Sequence, residues 1–446
     1  MNIGGTLIAG AAAGALHGTM AVPGDKSMSH RSIMLAALAD GVTEIHGFLP
    51  GEDNISTAEL FVTMGASIEW LNDEKTSLRV RGVGLHGLNE PDCVLDAGNA
   101  GTCVRLVSGI LAGQDFHSVL VGDASLHRRP MLRVVAPLRD MGATIDGREQ
   151  GAYLPLAIRG QRLRGTTHAM NVASAQVKSC LLLAGLYADG ETRVKEPRPT
   201  RDHTERMLPL FGQSVSQHDG YIVLQPTGSL SAPKQAIHIP ADPSSAAFFA
   251  VAAALVDGSH VDFEAVGINP RRDGWRRILL AMQAKICTTP CADVGQEPVA
   301  QLQVAGARLQ GVHVDATDVP DAIDEFPVLF VAAALAEGTF VLSGAEELRV
   351  KESDRIASMV AALQAAGADI EERPDGVIIR GRARLAGGVT VDAHGDHRIA
   401  MAMAVAAQCS DAPITIHHAA AIATSFPGFV AKAQGLGMNL RWQENA

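Results

Sequence analysis

Six polar signatures punctuate the chain, and each heads an apolar run: GDKSMSHR (24 to 31), GNAGTCVR (98 to 105), SAQVKS (174 to 179), DPSSA (242 to 246), DAIDEFP (321 to 327) and GDHR (395 to 398). Where a helix begins, unpaired N–H groups and the positive end of the helix dipole make a natural anion site. Lysine, serine and arginine repeated at such starts therefore suit small ligands carrying phosphate or carboxylate. In the first signature Lys26 precedes a helix with Ile33, Met34, Ala37 and Leu38 on one face, and Ser27 or Ser29 is the expected cap. In ELRVKESDRIASMVAALQAAG the face is Ile356, Met359, Val360 and Leu363, the expected cap is Ser353, and Lys351 and Glu352 lie at the helix mouth. Arg128 and Arg129 stand before Pro130, and Arg198 and Arg201 stand close to Asp202 and His203. Taken singly, each motif reads as a capped helix or a solvated charged loop; their recurrence is what distinguishes them.

Other chemistries fit poorly. VPGDKS lacks the earlier glycine of a GxxxxGK[ST] phosphate loop, so a nucleoside triphosphatase is excluded. His394 and His397 are three residues apart without clear further ligands, and no metal is expected there.

The elements that must position these residues form an internal repeat. An apolar helical run, a turn and a β-like run occur six times: SIMLAALADGVTEI, CVRLVSGILAGQDFHSVLV, VKSCLLLAGLYADGETRV, SAAFFAVAAALVDGSHVDF, FPVLFVAAALAEGTFVL and RIAMAMAVAAQCSDAPITI. A second marker, a helix end followed by a small residue and a new strand, also occurs six times, with Gly65, Gly142, Gly212, Gln283, Gly367 and Gly437 at the equivalent position. The unit is roughly 70 to 80 residues, too large for a solenoid repeat and too small for a comfortable independent domain. Three units per domain is the economical solution, with a boundary near IHIPADPSS (237 to 245) and an opening strand at 2 to 10 that must find a sheet to join. The fold class expected is α/β or α+β.

Composition narrows the partners. The 446 residues exceed one ordinary core, so two domains are expected. A net charge of −11 argues against a nucleic-acid or acidic-membrane surface. Six cysteines form no disulfide framework, and Cys287 and Cys291 have no second pair at zinc-ribbon spacing. The Gly/Ala-rich start lacks a basic n-region, and no apolar run reaches membrane-spanning length. A cytoplasmic location is expected.

GDKSMSHR, GNAGT, ASLxxRPM, SAQVKS, TRDHTE, the aspartate of IDEFP, LRVKESDR, GDHRIAM and ATSFPGF follow in order from position 24 to 429. In that order, on a sixfold repeat, they resemble the 5-enolpyruvylshikimate-3-phosphate synthase family, and TRDHTE and ATSFP resemble its second class. The resemblance implies two domains, 22–241 and 1–21 plus 242–446, each of three βαβαββ-type repeats in an inside-out α/β barrel and closing like a hinge on the substrates. It implies transfer of the carboxyvinyl group of phosphoenolpyruvate to the 5-hydroxyl of shikimate 3-phosphate, without cofactor or metal, by a monomer that glyphosate targets. Lys26, Ser27, Arg31, Ser174, Ala175, Gln176, Arg201, Asp324 and Lys351 would bind shikimate 3-phosphate. Lys26, Gly101, Arg129, Gln176, Arg355 and Arg398 would hold phosphoenolpyruvate. Glu352 would shuttle the methylene proton, and Asp324, helped by Lys26 or Lys351, would act at the hydroxyl.

Three features refine the resemblance. The branch that uses a UDP-sugar acceptor commonly carries a cysteine in the loop matching GDASLHRRPM, and here that loop has none. A non-catalytic binder of phosphorylated metabolites could dispense with Asp324 and Glu352, and both are present. Thr424 and Ser425 stand before Phe426 and Pro427 where one class has a lysine, and Gly101 stands where glyphosate-tolerant members have alanine, which implies appreciable inhibition by glyphosate.

Overall fold

The computed structural model describes residues 5–443. The chain divides into two compact units, one of Gly24–Ile239 with Val294–Gln296, the other of Met1–Pro23, Pro240–Asp293 and Glu297–Ala446.

In the first unit three helices, Lys26–Ala37, Gly101–Ala112 and Ala175–Gly185, are buried over most of their length. Runs such as SIMLAA and CVRLVSGILA have no continuous polar stripe, so these helices are stable only when enclosed. Their packing is close: a β-carbon on Gly109 would stand 2.3 Å from the carbonyl oxygen of Cys180 on the neighbouring helix, so only glycine admits this approach. Each central helix feeds a strand, Val42–His46, His117–Val121 or Thr192–Lys195, and each strand heads an open sheet of common plan. In the second repeat, Leu95–Asp96 runs parallel to His117–Val121, which pairs antiparallel with Tyr153–Arg159, and that strand with Thr144–Gly147. Alternate residues of Tyr153–Arg159 are buried, so one face of the sheet lies on the helices and the other faces water. The third repeat follows the same order. The first borrows its parallel strand, Ile237–His238, from the end of the unit.

The second unit repeats the plan around Pro243–Leu255, Phe326–Ala334 and His397–Ala406. Here too strands are borrowed. His17–Met20 runs parallel to His260–Gly267. The strand Leu7–Gly10 enters as the middle strand between Ile414–His417 and Asn439–Trp442, which is the sheet the opening strand needed; residues 2 to 4 of that expected strand lie outside the described residues. In the fifth repeat the parallel strand shrinks to isolated bridges at Gln310 and His313. Phe249, Phe426 and Phe429 stack within one core, with ring centroids 5.2 to 5.7 Å apart, so the apolar part of ATSFPGF is packing. Among the described residues helices form the centre of each unit, and no sheet closes into a cylinder.

The six marker positions share one backbone state. Gly65, Gly142, Gly212, Gly367 and Gly437 have φ between 85° and 103°, and Gln283 has φ 67°. The left-handed turn that stops each second helix is thus kept in the fourth repeat without glycine.

Candidate active site

In the first unit, the residues at the helix starts are joined by a polar network. Lys26 is the first residue of its helix, with Nζ 2.5 Å from an Asp53 carboxylate oxygen. The cap is neither Ser27 nor Ser29 but Asp25, whose carboxylate accepts from the Met28 N–H at 2.8 Å. Capping requires an acceptor just before the first turn, and both serines already lie within it. Ser29 is buried and donates to the Asp25 carbonyl at 2.9 Å. The Arg31 guanidinium is buried, donating to Thr204 Oγ1 (2.7 Å), Ser179 Oγ (2.7 Å) and the Ser27 carbonyl (3.0 Å). It ties three chain segments together beneath Ser27.

The Gly101 helix has no side-chain cap, whereas Ser174 caps the next central helix through the Val177 N–H. Gln176 donates to Thr102 Oγ1 at 3.0 Å and accepts from Arg105. Arg128 is exposed, but Arg129 is buried and donates to Asn99 Oδ1 (2.5 Å) and Ser125 Oγ (3.2 Å). A β-carbon on Gly101 would stand 2.9 Å from Arg129 Nη1 and 3.5 Å from Arg105 Nη1, which places Gly101 directly against the guanidinium groups. Lys26 thus stands at one helix start, Arg105 and Arg129 stand against the next at Gly101, and Arg31 lies beneath Ser27, the kind of cations an anion site requires.

In the second unit the chemistry centres on one arginine. Arg355 is 1% exposed and faces three carboxylates: Nε lies 2.8 Å from Asp396, Nη1 3.1 Å from Asp324 and Nη2 2.5 Å from Glu352. Burial works against its charge, but Asp396, Glu352 and Asp324 raise its pKa above that of an ordinary arginine. Lys351 Nζ is 3.3 Å from the Asp324 oxygen that Arg355 also meets. Arg398 donates to the Asp324 backbone carbonyl at 2.8 Å, and its Nη1 lies 3.5 Å from Glu325. Asp324, Lys351, Glu352, Arg355 and Arg398 are therefore brought together. The expected cap Ser353 instead donates to Asp396 at 3.1 Å, and Asp354 caps the helix by accepting from the Ala357 N–H at 3.0 Å. Asp354 immediately precedes the first turn, and Ser353 lies one residue too early.

Several supporting residues escaped the sequence reading. Arg105, Lys178 and Asp396 lie inside quoted motifs; a charged residue within or directly before an apolar helix was the available signal. Asn99 also lies inside one, GNAGTCVR, but is uncharged, and Asp53 lies outside them all; their partners Arg129 and Lys26 are distant in sequence. His394 is exposed and His397 is buried beside Thr424; among the described residues, no three His, Cys, Asp or Glu side chains gather as a metal group.

The family model described as EPSP synthase (3-phosphoshikimate 1-carboxyvinyltransferase) matches residues 11–433. A 3-phosphoshikimate 1-carboxyvinyltransferase of Methylococcus capsulatus is 54% identical over 428 residues, covering 96% of each chain. One from Acidithiobacillus ferrooxidans is 53% identical over 425 residues, covering 95% of this chain and 96% of the relative. A solved EPSP synthase of Acinetobacter baumannii superposes with a TM-score of 0.86 at 46% identity, covering 99% of this chain and 100% of that one. Identity of this degree across essentially the whole length, with the ordered motifs on the sixfold repeat, places the chain in the EPSP synthase (3-phosphoshikimate 1-carboxyvinyltransferase) family.

Proposed function

We infer that this chain transfers the carboxyvinyl group of phosphoenolpyruvate to the 5-hydroxyl of shikimate 3-phosphate, releasing phosphate, on the route to aromatic amino acids. The observation that carries the reading, beside family membership, is the pair Asp324 and Glu352 held by one buried arginine. Addition needs a proton delivered to the enol methylene and one removed from the attacking hydroxyl. Elimination then breaks the carbon–oxygen bond to phosphate and takes a proton from the new methyl group. Glu352 is assigned the methylene proton in both directions, and Asp324, with Lys351 3.3 Å away, the hydroxyl proton. An acid that becomes a base serves both half-reactions.

Ser27, Ser174, Ala175, Gln176 and Arg201 are assigned to shikimate 3-phosphate, and Arg129, Gly101 and Arg398 to phosphoenolpyruvate. Lys26 serves both. Arg31 is assigned to shikimate 3-phosphate and Arg355 to phosphoenolpyruvate, and both also brace the site by fixing Ser27 and the carboxylates. Acid–base catalysis contributes about 10² to 10⁴-fold, so cations and orientation must supply most of the remainder. The protein is proposed to be a cytoplasmic monomer; among the described residues no helix is long and apolar enough to cross a membrane.

Phosphate release from phosphoenolpyruvate, measured with shikimate 3-phosphate and then with UDP-N-acetylglucosamine as acceptor, tests the assignment. Release should require the former; release supported only by the sugar nucleotide would refute it.

A further inference from the structure

A second charged cluster in the first unit takes no direct part in the reaction. Lys178 is 1% exposed, on the central helix Ala175–Gly185, one turn beyond Ser174 and two residues beyond Gln176. A lysine side chain is almost never buried so completely unless its charge is met. Its Nζ lies 2.7 Å from Glu205 Oε1, 3.0 Å from Glu196 Oε2 and 3.3 Å from the Thr200 carbonyl oxygen. An ammonium has three N–H donors, and three acceptors surround it here.

All three acceptors belong to one segment. Glu196 begins the EPRPTRD loop, Thr200 is the residue before Arg201, and Glu205 lies in the short helix that follows. Thr200 Oγ1 bonds the other Glu196 oxygen, so the loop also closes on itself around Lys178. Pro197 and Pro199 restrict the backbone between these anchors. Next to them, Thr204 donates to Ser179 Oγ at 2.8 Å and accepts from Arg31. The helix that presents Ser174 and Gln176 and the loop that presents Arg201 are thus joined through a buried cation. Burial pushes the Glu205 carboxyl above the usual carboxylate range, and the Lys178 charge opposes that shift.

We propose that Lys178 is a positioning residue for the acceptor site: by holding the 196–205 segment at three points it fixes Arg201 relative to Ser174 and Gln176, and so sets the affinity for shikimate 3-phosphate. The proposal rests on the assignment of Arg201 to that substrate. It distinguishes Lys178 from a merely structural residue, because its loss acts on one substrate and not on the other.

Steady-state kinetics with each substrate varied in turn provides the test. Lys178→Met strands two buried carboxylates, so it is paired with the triple variant Lys178→Met, Glu196→Gln, Glu205→Gln and with the milder Glu196→Gln, which keeps the Lys178–Glu205 contact. Displacing a binding group by a fraction of an ångström should raise KM for shikimate 3-phosphate about tenfold in either Lys178 variant and a few-fold in Glu196→Gln, with KM for phosphoenolpyruvate changed less than about twofold. Arg201→Ala is the control for the underlying assignment, and it should raise the same KM. A normal KM for shikimate 3-phosphate in folded Lys178 variants or in Glu196→Gln, while Arg201→Ala raises it, overturns the positioning role alone. An equal rise for both substrates also overturns it. No response to Arg201→Ala overturns the assignment of Arg201 and the proposal with it.

Discussion

Replacing Arg355 by methionine tests how the carboxylates are held. The side chain is buried at 1% exposure, and its guanidinium meets Asp396, itself 0% exposed, together with Asp324 and Glu352. Methionine keeps much of the volume but leaves like charges facing one another, one of them cut off from water. Removing one partner of a buried ion pair costs about 3 to 5 kcal/mol, most of it the penalty of the charge left behind. For a unit of this size each kcal/mol lowers Tm by about 2 to 4 °C, so a fall on the order of 10 °C is expected by calorimetry. Asp396→Asn added to Arg355→Met should recover part of it, since the most deeply buried orphan charge is then gone. Turnover should fall more than affinity for shikimate 3-phosphate, because the groups set adrift are the proposed proton carriers. A Tm within about 2 °C of wild type, or no recovery by Asp396→Asn, would contradict the claim that one arginine holds all three carboxylates.

Other outcomes follow from the same geometry. Glu352→Gln preserves shape beside Arg355 and should lower kcat by about 10² to 10⁴-fold with substrate affinities nearly unchanged; unaltered turnover would remove Glu352 from proton transfer. Gly101→Ala places a methyl group 2.9 Å from Arg129 Nη1, and inhibition assays should show glyphosate weakened by about 10-fold or more, a crowding effect; undiminished inhibition would refute the steric account. Gln283→Gly relieves a left-handed residue whose side chain is exposed, and denaturant unfolding should show a gain of about 0.5 to 1 kcal/mol, the strain of roughly 1 to 2 kcal/mol less the added freedom of the unfolded chain; a loss would contradict it. His30 is fully buried with its pKa well below 6.5, chiefly through burial and then through Lys26 and Arg31. The unfolded chain therefore binds a proton below pH 6.5 that the folded chain refuses, and wild type should lose stability relative to His30→Asn by up to about 1.4 kcal/mol per pH unit on acidification; parallel stability curves would refute this.

The repeat was legible because enclosed helices are written as unbroken apolar runs, and because the turn ending each second helix requires positive φ, which selects glycine. Gln283 could be aligned with the glycines from its flanking pattern alone, and its φ of 67° shows the backbone demand persisting where the residue type does not. Borrowed strands were less legible. A short segment such as Ile237–His238 says nothing of which sheet it completes, since parallel pairing is decided by tertiary closure. At the candidate site, motif residues could be assigned to ligands by type and order, but the caps were misassigned between neighbours: the structure has Asp25 where Ser27 or Ser29 was expected, and Asp354 where Ser353 was. Capping depends on where the first turn begins, which periodicity locates only to within a residue or two. Arg355 shows the same limit, for its type announces a cation, while only the fold reveals that three carboxylates, one of them forty-one positions away, surround it.

The most direct measurement follows the transfer itself. Enzyme, phosphoenolpyruvate and shikimate 3-phosphate are combined in deuterated water, and the products are read by proton and phosphorus NMR. Addition through a methyl-bearing intermediate and elimination by loss of a methyl proton predict an enol ether on the 5-oxygen, one phosphate released for each, and deuterium appearing in the vinyl methylene. Phosphate released without the enol ether, or an enol ether whose methylene never acquires deuterium, would contradict the account.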